Sequence, residues 1–166
     1  MFKKILFTAA VAVVAVPALA SAQSNEVRAT AVVAQHALLS GLGNLDFGEL
    51  SRSADNVINA AGGAGSAVRT LSYNHNVRVS FGNVPENLMD PTGTLSLPVV
   101  LTCASRVGAG SWSMAGACTT AQFDLDVGNA LTEATLGFGG TILGADAANA
   151  VAASYSGTLD ILLVAR

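Results

Sequence analysis

Apolar and polar residues alternate along most of this chain. In VRVSF, residues 77–81, Val77, Val79 and Phe81 stand against Arg78 and Ser80. In FDLDV, residues 123–127, Phe123, Leu125 and Val127 stand against Asp124 and Asp126. A period of two with one apolar face predicts half-buried strands. AVRTLSY (67–73), TLSLPVVLT (94–102), TLGFGGTIL (135–143) and GTLDILLV (157–164) are further strand candidates. VRATAVVAQ (27–35) is an ambiguous first element, read as strand on its Val and Thr content. The turn signals GLGN, GGAGS, YNHN, NVPEN, DPTG and GADAAN lie between these runs. Short strands with tight turns and no long helical pattern predict an all-β, antiparallel sandwich of about 7–9 strands. Pro98 inside SLPVV points to an edge or a bulge, and 144–154 has room for one short helical turn. In the final run, Leu159, Ile161 and Leu163 share a face, while Thr158 and Asp160 give way to Leu162 and Val164 on the other. That loss of alternation predicts an end covered on both sides.

The first 22 residues read differently. Lys3 and Lys4 precede an apolar run from Ile5 to Val16, then Pro17 and Ala20-Ser21-Ala22. This predicts a signal peptide over 1–22, cleaved before Gln23, and one domain over 23–166. The apolar run is too short to span a membrane, which takes about 20 residues. No membrane span is expected after cleavage.

Removing 22 of 166 residues leaves 144, with six arginines, no lysine and eleven acids. The mature charge of −5 makes a poor nucleic-acid binder. Without lysine, Schiff-base chemistry is excluded. The only cysteines, Cys103 and Cys118, are expected to pair in an exported chain. The Gly/Ser/Ala-rich stretch between them reads as the turn region of a hairpin bonded near its base.

Few residues suggest chemistry. Asp124 and Asp126 leave one strand face together, yet no oxygen-rich loop accompanies them as calcium requires. The bland alternative is a solvated strand face. His36 and His75 are the only histidines, so a three-histidine zinc site is impossible. GxSxG does not occur, and the glycine-rich stretches do not lead into a helix. No catalytic residue, metal ligand or cofactor is therefore assigned, and the chain is read as a non-enzyme. Trp112 inside the cysteine loop is either a stacking platform or a residue packed beside the disulfide. In NLDFGEL (44–50), read as a strand, Leu45 and Phe47 share a face and Asp46 points away. Gly48 then marks a bulge or a close backbone approach. Asp46 is expected to hold a backbone amide rather than to do chemistry, so Asp46→Asn is expected to cost roughly 1–3 kcal/mol if the carboxylate is buried.

Leu45-Asp46-Phe47-Gly48, together with Tyr155, Gly157, Thr158, Leu159, Ile161 and Leu163, resembles the start and end of secreted pilin-like domains of the spore coat protein U type. It also resembles a related group of bacterial secreted domains with the same two ends. The resemblance covers the ends of the mature domain; the middle matches in strand rhythm alone. It implies an immunoglobulin-like sandwich, a structural or adhesive role as a surface-fibre subunit, and partners that include other copies, a periplasmic chaperone and an outer-membrane usher. It also implies a location in the periplasm or on the cell surface. In such subunits one strand is missing and a neighbour supplies it. Two departures stand out: no cysteine precedes LDFG, and the last strand ends Val164-Ala165-Arg166 rather than in an aromatic residue. Val27, Ala29, Ala31 and Val33 repeat every two residues, as a donated strand would, so this segment is expected to pair within its own sandwich or with the next subunit. The alternative function is a stand-alone secreted domain that binds a carbohydrate or a protein.

Overall fold

The computed structural model describes residues 31–41, 43–128 and 130–166. The expected signal peptide, with Val27 and Ala29, lies outside them. The chain divides into two units, Met1–Val33 and Ala34–Arg166, and the account below concerns the second. Its elements are β1 Ala37–Ser40, β2 Asn56–Ile58, β3 Ala67–Tyr73, β4 Val77–Gly82, β5 Asn87–Met89 and β6 Ser96–Pro98. Then follow β7 Val100–Val107, β8 Ser113–Ala117, β9 Gln122–Leu125, β10 Thr132–Ile142, α1 Gly144–Asn149 and β11 Asp160–Ala165.

All pairings are antiparallel. The larger sheet runs β1-β3-β10-β7-β8, with β2 also on β10; the smaller runs β11-β4-β9; β5 and β6 form a two-stranded piece. The all-β antiparallel expectation therefore holds. The described residues contain more strands than expected because several have only three residues. Alternation wrote the long ones: Val77 and Val79 of β4 are buried, as are Leu71 and Tyr73 of β3 and Phe123 and Leu125 of β9. These side chains meet in one core between the two sheets. Phe81 of the smaller sheet stands edge-on to Phe138 of the larger, with centroids 5.7 Å apart. Edge-to-face packing of this kind adds to the area buried.

Four sequence expectations change. First, residues 31–36 form no strand, and Val32 and Val33 are exposed. The first strand is β1, fixed at its start by Asn74, whose Oδ1 accepts from the His36 amide (2.6 Å) and whose Nδ2 donates to the Ala34 carbonyl (2.8 Å). Second, TLSLPVVLT is two strands. Pro98 ends β6 at an edge, as proline must, and the Val99 amide adds one more bond to the β5 side, to the Glu86 carbonyl (3.0 Å), before β7 begins. Third, NLDFGEL is not a strand. Gly41 (φ +111°) and Gly48 (φ +61°) take left-handed conformations that break the ladder after β1. Fourth, β11 keeps its alternation, and Leu162 and Val164 are exposed (48% and 55%) rather than covered.

The helical turn in 144–154 is present as α1. On the outer face of β10, Gly137 and Gly139 lie beneath the segment that follows β2. A Cβ at either would fall about 2 Å from the Ala60 or Ile58 carbonyl oxygen, so only glycine lets these backbones touch.

Candidate functional site

The disulfide joins Cys103 to Cys118 with Cα atoms 5.1 Å apart, at the base of the β7–β8 hairpin. Both cysteines are buried. Trp112 is not beside the bond. It lies on the opposite face of the sheet, against Gly137 and under the Arg106 guanidinium, 4.8 Å from its ring centroid. Asp124 and Asp126 are neither free nor paired with each other. Asp124 takes a two-pronged bond from Arg78 (2.7 and 3.0 Å), and Arg166 reaches both acids at 3.5 and 3.6 Å. The Arg78 bond holds the Asp124 carboxyl below its usual range. This is a structural tie that anchors the end of β11. Among the described residues no three His, Cys, Asp or Glu side chains are grouped to hold a metal.

Asp90 carries an unforeseen polar knot. Its carboxylate accepts from the Thr92 hydroxyl and from the amides of Leu95 (2.7 Å), Thr94 (2.8 Å) and Thr92 (3.2 Å). Those bonds, the Thr92 hydroxyl foremost and then the Leu95 amide, hold its pKa at about 2 against an ordinary 3.8, although burial pushes the other way. The DPTG signal contained this knot: aspartate before Pro-Thr-Gly is suited to bind the turn that follows it.

Residues 45–48 and 155–159 approach the same part of the core. Leu45 and Phe47 pack against the core from one side, and Tyr155, Leu159 and Ile161 from the other. Asp46 is exposed, and its Oδ1 accepts the Gly48 amide at 2.9 Å, while its own amide donates to the Gly65 carbonyl (2.9 Å). The carboxylate thus closes a local turn, as expected, but Gly48 serves that turn and has open space where a side chain would be. Gly157 sits in a tight place, since a Cβ there would press on the Leu88 and Pro85 side chains. Thr158 is exposed; the Tyr155 hydroxyl donates to the Val151 carbonyl (2.8 Å).

Between these segments lies an open cleft of about 1260 Å³. Its floor is core: Leu97, Leu101, Phe138 and Ile142. Leu45 and Phe47 form one lip, and Leu159 and Ile161 the other. Sandwich interiors are close-packed, and small-molecule pockets are commonly about 300–1,000 Å³. A groove of this size that opens onto the core is a site for something elongated.

The cleft meets an unpaired sheet edge at Ile161, near the start of β11. Among the described strands, β11 pairs only with β4. The Arg166 amide donates to the Asn76 carbonyl (2.9 Å), so alternation turns the backbone groups of Ile161, Leu163 and Ala165 outward. Edge strands in most proteins are blunted by lysine, proline or bulges; β11 has none of these. Side chains at Leu159, Ile161 and Leu163 are half-buried, whereas Val77 and Val79 on the adjoining strand are sealed. Comparison with family models, curated proteins and solved structures finds no match.

Proposed function

We propose that this chain is a secreted, non-enzymatic structural subunit that assembles by accepting an extended strand from another copy into the cleft beside β11. The observation that carries this reading is the coincidence of an unpaired, unguarded edge with a groove whose floor is the apolar core. An added strand would satisfy the outward backbone groups of β11 and seal its half-buried side chains in one step. A single small ligand would do only the second.

The donor is the segment containing Val27, Ala29, Ala31 and Val33, whose period-two apolar row suits a groove of alternating pockets. The disulfide is compatible with an extracellular location. A periplasmic chaperone and an outer-membrane usher are the expected handlers of a subunit whose groove must be kept filled during export.

Sedimentation velocity of the mature protein over a wide concentration range tests the proposal. Concentration-dependent assembly is expected. Removal of residues 23–34 should abolish it, and a peptide of that sequence should then bind the truncated protein one to one. A full-length protein that stays monomeric throughout would overturn the reading.

A further inference from the structure

One charged residue faces the wrong way for a sandwich core. Along β3, Ala67, Leu71 and Tyr73 are buried and point inward. Arg69 shares their parity, so it leaves the same face of the sheet. Its neighbour across the ladder, Leu136, is fully buried on that face. Arg69 duly lines the cleft. Its one hydrogen bond among the described residues runs from Nη1 to the Val68 carbonyl (3.1 Å), and no carboxylate among them lies within ion-pair reach. A guanidinium has five N–H donors. While the cleft is open, water serves the remainder. A strand that enters expels that water, and an unpartnered buried charge is costly.

We infer that Arg69 selects the strand the cleft accepts: the strand must turn a hydrogen-bond acceptor toward Arg69, and in a second copy of this chain that acceptor is Asn25. This rests on the strand-insertion reading above. Two facts single out Asn25. The arm able to reach a neighbour ends near Val33, because Asn74 pins Ala34 and His36 to the start of β1. Gln35 is therefore unavailable. Within residues 23–33 the inward row is set by Val27, Ala29, Ala31 and Val33; Asn25 and Gln23 are the polar residues that continue it, and Asn25 is the one that adjoins the apolar row. Glu26 has the opposite parity and would face away. Eleven residues extend to about 37 Å.

The test is self-association of the full mature protein and its variants. Asn25→Leu should weaken association about tenfold, and Arg69→Leu in the same chain should restore it to within about threefold. Asn25→Asp should tighten it several-fold and make it salt-sensitive, since the bond becomes charge-assisted. That gain should vanish with Arg69→Leu. Asn25 lies outside the Ala34–Arg166 unit that holds Arg69, so its variants report on assembly even if a change at Arg69 harms folding.

Assembly that ignores both Asn25 changes would overturn the role of Arg69 and leave strand insertion standing. Failure of Arg69→Leu to restore association in the Asn25→Leu chain would do the same. A wild-type protein that never associates would overturn both. An anionic amphiphile that co-purifies in native mass spectrometry and is lost in Arg69→Leu would overturn the strand-borne partner in favour of a small ligand.

Discussion

The two flanks of this sandwich are built from similar residues and end differently. On the flank of β7 and β8, Cys103, Cys118, Leu101 and Ala104 are buried, and the hairpin is bonded to itself. On the flank of β11, Leu159, Ile161 and Leu163 alternate just as regularly, yet each stays half-buried. The contrast is sharpest between partners. Leu163 pairs directly with Val79, which is fully buried. Burial on this edge is limited by the lack of a further layer, not by side-chain chemistry.

The first way to break the comparison is to truncate both flanks. Leu136→Ala, in the sealed core, should cost about 2–5 kcal/mol in urea denaturation. Ile161→Ala, on the open lip, should cost roughly 1–2 kcal/mol. Equal losses would mean that the open flank is sealed in solution. Next comes the staple itself. Intact mass should rise by two hydrogens on reduction, and replacing both cysteines with serine should cost about 3 kcal/mol for a separation of 15 residues. Two free thiols in exported protein would refute the pairing.

Acid should act on the Asp90 knot. The ionised carboxylate is bonded in the folded chain, and its pKa there is about 2 against 3.8 when free. Its stabilisation is complete above pH 4 and fades as pH falls toward 2. Melting curves of the wild type and Asp90→Asn should therefore differ near neutrality, and the gap should narrow as pH falls from 4 toward 2. A gap as wide at pH 2 as near neutrality would remove the charge from the explanation. The smallest effect belongs to Asp46. Because its carboxylate is exposed and bonds one amide, Asp46→Ala should cost about 0.5–1.5 kcal/mol, and Asp46→Asn less, since its amide oxygen can still accept. This is below the value expected had the group been buried.

Strands with one buried face were legible because burial imposes a period of two. AVRTLSY matches β3 residue for residue, and VRVSF matches β4 to within its last residue. The short strands were not legible. ALLS of β1 is an edge piece with three exposed residues and no alternation to read, and β8 hides in a glycine-rich stretch read as turn. NLDFGEL shows period-two burial without a ladder, so alternation alone misread it as a strand. The cleft was beyond sequence reasoning, since its walls come from residues more than a hundred positions apart. Arg69 was within reach: its parity in AVRTLSY already set it on the apolar face.

The hairpin bond also changes how the molecule would answer to force. A chain drawn out by its two ends lengthens by about 3.4 Å for each residue released. The span from Cys103 to Cys118 is held at 5.1 Å and cannot be released while the sulfurs are joined. Oxidised protein would therefore yield about 45 Å less extension per unfolding event than reduced protein. Such a length difference is readable one molecule at a time, and it makes the domain a tether whose slack is set by its redox state.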